Sequence, residues 1–241
     1  MFIGHYGVGL AAKRLAPRTS LGWFIAGATL LDLLFAVCMT LGLEGGRLGP
    51  AETPFLNLRL DHVPWSHSLL LTGAWSLAFA VLCWVVTRDR AAALVAAAAV
   101  ASHWVLDFVT HRPDLPVWPD GPRVGLGLWY STAGTLIVEG AIFLAGVAIY
   151  AAATRPRDRT GSWALWSYVL FLALVYAVNV AAPPPSTMTA STPAAGIPGV
   201  VLGCLLVLVA WFLDRHRAAA GAGERRPQAQ SDARFPSTAQ Q

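Results

Sequence analysis

Charged side chains are scarce in this sequence of 241 residues. They make up 12% of it, apolar side chains make up 56%, and Lys13 is the sole lysine. An ordinary soluble domain carries about 25% charged residues, so this composition excludes one. With a mean hydropathy of +0.55, most of the chain is expected to lie in a lipid bilayer.

Cysteine is equally sparse, and Cys38, Cys83 and Cys204 stand apart from one another in apolar stretches. This spacing argues against a disulfide framework or a thiolate metal site and favours three small core residues. The first apolar stretch, 1–10, has no basic region before it and no small-residue cleavage pattern after it, so a cleaved signal peptide is not expected.

What the sequence does contain is a series of long apolar runs. About 20 apolar residues in a helix cross the roughly 30 Å hydrocarbon core of a membrane. Six runs reach or approach that length: 21–43, 66–87, 91–109, 126–153, 163–182 and 196–213. The predicted fold class is therefore all-α, a polytopic membrane bundle of about six transmembrane helices.

The positive charge is clustered, which predicts an orientation. The clusters precede the first run or follow the second, fourth and sixth: Lys13, Arg14 and Arg18; Arg88 and Arg90; Arg155, Arg157 and Arg159; Arg215, Arg217, Arg225 and Arg226. By the positive-inside rule both termini are expected in the cytoplasm, in the inner (plasma) membrane. The net charge of +4 is thereby explained without nucleic-acid binding. We expect a four-helix core over 1–153, two further spans over 154–217 and a disordered cytoplasmic tail over 218–241.

Ionisable residues within apolar helices are functional candidates, because each costs about 2.5–3.5 kcal/mol to insert. Asp32 lies in the middle of the first run and Glu139 within the fourth. A segment that contains His62 and His67 leads into the second apolar run. The third run closes with His103, Asp107 and His111.

The last three residues are spaced four apart and would share one face of a continuous helix. On the predicted topology, His62 and His67 lie at the same extracytoplasmic end, with Asp32 deeper in the membrane. Imidazoles and carboxylates together suit Zn²⁺, Mn²⁺ or Fe²⁺, of which we expect zinc. The competing interpretation is a hydrogen-bonded His103–Asp107 pair that only fixes helix packing.

Two residues are harder to place. His5 precedes the first basic cluster, so it joins the other histidines only if residues 1–12 fold back into the membrane as a short helix. Glu139 could be a base that acts beside the metal or a structural partner. Asp114, Asp120 and Arg123 are expected to be solvated loop charges, and His216 to belong to the basic cytoplasmic anchor.

These motifs resemble a bacterial inner-membrane family of metal-dependent hydrolases, the LexA-regulated membrane-bound hydrolases. The shared features are an initial Gly-His, an intramembrane Asp, His-Ser-Leu-Leu and Ser-His-x-x-x-Asp, over about residues 1–153. The resemblance implies a metal site that involves His5, Asp32, His67, His103 and Asp107, and extends less directly to His62 and His111. Members of that family carry Pro-Asp-Asp or Pro-Asp-x-Asp where this chain has only Asp32, which implies either weaker metal binding or one ion where relatives hold two.

Three functions follow as hypotheses. The first is a hydrolase of an ester or phosphoester, with lipids among the candidates, in which Asp32 and Glu139 are catalytic and a metal-bound water is the nucleophile. The second is a proton- or cation-coupled transporter, although no internal repeat supports it. The third is a structural membrane protein without catalysis. Beyond the lipid bilayer and a lipid or phosphoester substrate, the sequence indicates no partner.

Overall fold

Eight α-helices dominate the computed structural model, which describes residues 1–183 and 185–220. They are α1 (Ile3–Ala12), α2 (Leu21–Ala28), α3 (Leu30–Thr40), α4 (Leu69–Thr87), α5 (Arg90–Thr110), α6 (Thr132–Ala153), α7 (Arg159–Ala181) and α8 (Pro193–Arg215). Helices α4 to α8 are each long and apolar enough to span a membrane. Together with α2 and α3 they give five to six candidate spans, which confirms the mostly helical membrane fold.

The first predicted span is broken, contrary to the continuous helix expected over 21–43. Helices α2 and α3 meet at Thr29 with a bend of 60°. The Thr29 hydroxyl donates to the Ile25 carbonyl at 2.8 Å, a side-chain bond that competes with regular helical pairing. The break leaves Asp32 in the first turn of α3 rather than in the middle of a span.

Helix α1 folds back into the bundle, which is the alternative that the sequence left open for residues 1–12. It packs chiefly against α6 and also contacts α2 and α5. The approach to α6 is close because Gly7 and Gly146 face each other, and a Cβ on Gly146 would collide with the Gly7 carbonyl oxygen. Small residues of this kind let membrane helices approach closely.

Short strands that the sequence did not predict tie the loops together at each end of the bundle. At one end, β1 (Gly45–Leu48) pairs antiparallel with β2 (Leu58–His62) and with β6 (Thr189–Ala190). A second pair there joins β3 (Leu115–Pro116) to β4 (Arg123–Val124), and Arg112 donates to the Leu58 carbonyl at 3.2 Å. The loops after α3, α5 and α7 therefore lie at the same end.

At the opposite end, β5 (Thr154–Pro156) pairs with β7 (Arg217–Ala219). Residues 218 and 219 are thus in a strand rather than in the tail predicted to be disordered. Residues 221–241 of that predicted tail lie outside the described residues. Helix α6 also begins later than the run 126–153 suggested, because Leu128–Tyr130 form a separate 3-10 turn.

Not every residue of the basic clusters is a surface anchor. Lys13 is buried, and its Nζ lies 2.6 Å from Asp214 Oδ2 and 2.7 Å from the Thr19 carbonyl oxygen. Arg217 is also buried and donates to the Gly161 carbonyl at 2.9 Å. These two cations join α1 and α7 to the last helix. Of the three cysteines only Cys83 is buried, whereas Cys204 is exposed on α8.

We expect Lys13→Ala to destabilise the protein by about 3 kcal/mol, because it leaves the largely buried Asp214 carboxylate without its cation. The Lys13→Ala/Asp214→Ala double variant should lose less than the sum of the two single variants. Unfolding of all four proteins in mixed detergent micelles measures both effects. Additive losses would contradict a coupled buried pair.

Candidate metal centre

Asp107 is the carboxylate around which the polar side chains gather. It lies in the last turn of α5 and is 1% exposed. Its Oδ1 is 3.1 Å from His5 Nε2, and its Oδ2 is 3.0 Å from His103 Nε2 and 3.7 Å from His67 Nε2. The Met1 amino group also contacts Oδ1. One carboxylate therefore connects α1, the start of α4 and α5.

His103 is oriented by the break between α2 and α3. Its Nδ1 lies 2.8 Å from the carbonyl oxygen of Ala28, the last residue of α2. Because a carbonyl can only accept, Nδ1 carries the proton and a neutral His103 presents the Nε2 lone pair to the cluster. Nε2 is buried and has no hydrogen-bond partner among the described residues.

This orientation creates an electrostatic requirement. The lone pair of His103 Nε2 faces a carboxylate oxygen of Asp107 at 3.0 Å. Two electron-rich atoms at that distance repel each other unless a proton or a metal ion lies between or beside them. The cluster therefore suits a cation.

His67 is held by the turn that precedes α4. Its Nδ1 is 2.7 Å from the Ser66 hydroxyl, and its carbonyl accepts from the Trp104 indole at 2.9 Å. The amides of Trp65 and Ser66 both donate to Glu44 Oε1, at 2.7 and 2.9 Å. This turn directs His67 Nε2 towards Asp32 and Asp107.

Asp32 gives the cluster its open side. Its Oδ1 lies 3.8 Å from His67 Nε2 and 3.7 Å from His103 Nε2. Unlike the imidazoles it is 49% exposed, because the carboxylate lines a cavity of about 420 Å³. Water or a substrate in that cavity can therefore reach the cluster at Asp32.

Two overlapping groups have ligand atoms close enough to share a metal ion: Asp32, His67 and His103, and His5, His103 and Asp107. Ligand atoms of a tetrahedral zinc site lie about 3.3–3.5 Å apart, given bonds of about 2.0–2.2 Å. In the first group Asp32 Oδ1 lies 3.7–3.8 Å from the two histidines, and all three ligand atoms lie within 4.8 Å of one another, so binding an ion requires them to move closer together. Since both groups need His103 Nε2, they are alternative positions for one ion rather than two separate sites.

The remaining predicted residues lie around or outside these groups. His111 caps α5 in an extended conformation, so 103, 107 and 111 do not share a continuous helix, yet its Nε2 is 3.9 Å from Asp107 Oδ1. Burial lowers the pKa of His111. Glu139 is buried on α6, accepts from the Phe2 amide at 2.8 Å and lines the same cavity as Asp32.

His62 stands apart from both groups. It is exposed on β2, next to Asp61, which forms a two-pronged ion pair with Arg47 at 2.8 Å. The hydrogen bond from Arg47 lowers the pKa of Asp61. Asp61 and His62 therefore belong to the β1–β2 hairpin and do not join the cluster.

The sequence analysis did not predict the roles of two carboxylates near the cluster, those of Asp114 and Glu44. Asp114, expected to be solvated, is buried and accepts from His111 Nδ1 at 3.0 Å. Glu44, which the sequence analysis did not single out, fixes the turn before His67. Glu44 carried no signal beyond its place after an apolar run, whereas the spacing of His111 and Asp114 could have suggested their contact.

The fold and the cluster together define a polytopic membrane protein with a buried His/Asp group that could hold a metal ion. Sequence comparison agrees with this class. The model of the YdjM inner membrane protein family matches residues 1–184, and the chain belongs to that family, which comprises predicted membrane-bound metal-dependent hydrolases. The match reaches α7, beyond the limit near residue 153 expected from the motifs. No curated protein and no solved structure matches the chain.

We expect purified wild-type protein to contain metal, and the His103→Ala/Asp107→Ala variant to contain none, because both candidate groups lose ligands. Elemental mass spectrometry on detergent-purified, folded samples measures this. His62→Ala is the matched control and should retain wild-type metal content. Equal trace metal in all three proteins would contradict a metal centre.

Ser66→Ala should weaken metal affinity about 10- to 100-fold, because the hydroxyl that orients His67 is lost while the imidazole remains. Competition with a chromogenic chelator measures the affinity. Ser102→Ala on α5, whose hydroxyl bonds only to the Ala99 carbonyl in its own helix, is the control and should keep it. An unchanged affinity in Ser66→Ala would show that Ser66 does not position a ligand.

Proposed function

We propose that this protein is a membrane-bound, metal-dependent hydrolase of an ester or phosphoester. The observation that carries the proposal is the cluster of Asp32, His67 and His103, in which the two histidines are buried and Asp32 also lines a cavity. A buried cluster alone fits a structural polar network equally well. A cluster with one ligand open to a cavity has the arrangement of a catalytic site, which keeps a position free for water or substrate.

The proposed ligands are His67, His103 and Asp32, with Asp107 as a fourth ligand or as their charge partner. His103 and His67 would hold the ion through Nε2, since the Nδ1 atoms contact Ala28 and Ser66. A divalent metal bound there would lower the pKa of a coordinated water to about 7 and polarise the ester or phosphoryl oxygen. Zinc suits these ligands, and Mn²⁺ or Fe²⁺ remain candidates.

The protein's own groups would orient the reactants and manage protons. Hydrolysis forms a bond from a water oxygen to phosphorus or to the acyl carbon, breaks the bond to the alcohol oxygen and transfers a proton to the departing alcohol. Asp32 faces the cavity and is the proposed acceptor of the water proton. Glu139 lines the same cavity and is the proposed second proton carrier, although its bond to the Phe2 amide also gives it a structural role.

Hydrolysis of bis-p-nitrophenyl phosphate and p-nitrophenyl butyrate by detergent-purified protein tests the proposal. We expect turnover that a chelator abolishes and added Zn²⁺ or Mn²⁺ restores, with a loss of at least about 100-fold in His103→Ala. His216→Ala, at the opposite end of the bundle, should retain full activity. Equal turnover in His103→Ala would reject the proposal.

Further measurements on the wild type, His103→Ala and Asp32→Asn distinguish the hydrolase from a transporter and from a structural protein. Metal binding without turnover, combined with proton-driven flux in liposomes that Asp32→Asn abolishes, would favour transport. Loss of thermal stability in His103→Ala, with neither metal nor turnover in the wild type, would favour a structural role.

A further inference from the structure

We propose that the cavity beside Asp32 binds the hydrocarbon chain of the substrate, so that the substrate class is a lipid with an ester or phosphoester group. This inference rests on the proposed hydrolase function and makes it more specific. It excludes small water-soluble esters as the natural substrates. It also gives a role to the last helix, α8, which lies beyond the residues that the family model matches.

The size and chemistry of the cavity suit a chain. Its volume of about 420 Å³ lies within the range of about 300–1,000 Å³ typical of small-molecule sites. Apolar side chains from four parts of the chain form much of its wall, among them Leu33, Phe55, Val175 and Leu202. The wall therefore favours a hydrocarbon over a polar ligand.

The position of the cavity points to a molecule from the bilayer. Its walls include Val175 and Tyr176 of α7 and Gly199, Leu202 and Gly203 of α8, and both helices are candidate membrane spans. Gly199 and Gly203 contribute backbone to the wall and let α8 approach α3 closely, since a Cβ on either would contact Ala36 or Leu33. The wall also includes loop residues such as Pro54 and Asn57, so the cavity lies at the loop end of these spans, where lipid chains are at much higher local concentration than any soluble ester.

Polar side chains are interspersed in this wall, among them Thr29, Asn57 and Asn179. Tyr176 lines the cavity, and its hydroxyl is buried without a hydrogen-bond partner among the described residues. A donor left unpaired in this way fits an ester or glycerol oxygen of a ligand. Asp32 and Glu139 are the two carboxylates of the lining.

Charge sets the direction in which the lipid would lie. Of the described residues that line the cavity, none is a lysine or arginine. An anionic phosphoester therefore finds no cationic side chain in the wall, and since the Met1 amino group is paired with Asp107, a metal ion at the cluster is the cation proposed to receive it. The scissile group is placed at Asp32, and the chain extends between α7 and α8.

Photocrosslinking tests chain binding independently of hydrolysis. The probe is a single-chain dodecyl phosphoglycerol with a diazirine at the end of the chain, added to wild-type protein in phosphatidylcholine nanodiscs. We expect adducts mapped by peptide mass spectrometry on 175–179 and 199–203. Adducts confined to bilayer-facing residues, such as Leu170 and Leu205, would overturn the proposal.

Matched variants sharpen the test. Leu202→Trp fills the cavity and should lower the adduct yield at least about tenfold, whereas Leu205→Trp, on the outer surface of the same helix, should leave it unchanged. Tyr176→Phe removes only the unpaired hydroxyl, so it should fold normally and lower the yield several-fold. It therefore also tests the proposal if Leu202→Trp does not fold. Equal yields in all four proteins would overturn chain binding.

A parallel assay of bis-p-nitrophenyl phosphate hydrolysis separates this inference from the proposed function. Hydrolysis without cavity adducts would reject the lipid substrate and retain the hydrolase. Cavity adducts without any metal-dependent hydrolysis, of either the soluble ester or the probe, would retain a lipid-binding site and reject the hydrolase.

Discussion

The buried carboxylate of Asp107 is the constraint on which the rest of the site depends. A carboxylate that is 1% exposed in a membrane helix is costly unless charges and hydrogen-bond donors compensate it. Its two oxygens face opposite groups of partners, with His5 and the Met1 amino group at Oδ1 and with His67 and His103 at Oδ2. Satisfying Asp107 therefore brings together α1, the turn before α4, and α5, which are far apart in the sequence.

The same network links a departure from regular helix to chemistry. Breaking the first span at Thr29 costs regular backbone pairing within the membrane, where unpaired groups are expensive. His103 Nδ1 bonds to the Ala28 carbonyl at this break, so a side chain of α5 satisfies a backbone group of α2. That bond also fixes the tautomer of His103 and directs Nε2 at the cluster. The bend also places Asp32 in the first turn of α3, where it lines the cavity.

The two ends of the bundle differ in what their polar residues do. At the end that carries the loops after α3, α5 and α7, buried acids such as Glu44 and Asp114 hold the backbone and the histidine that surround the cluster. At the opposite end, Lys13 and Arg217 bind carbonyls and the Asp214 carboxylate and hold α8 in place. The position of α8 completes the cavity wall. Residues remote from the cluster thus contribute to the shape of the site.

The sequence alone determined the membrane class, the approximate helices and most of the cluster, because apolar length, charge clusters and four-residue spacing are local properties of the chain. It identified Asp32, His67, His103 and Asp107 by their cost in a bilayer. Only the tertiary structure decided that 1–12 turns back to deliver His5, that His62 lies on an exposed strand and that Asp114 is buried. Those outcomes depend on contacts between residues distant in sequence, such as Gly7 with Gly146 and β1 with β2, and no local pattern encodes them.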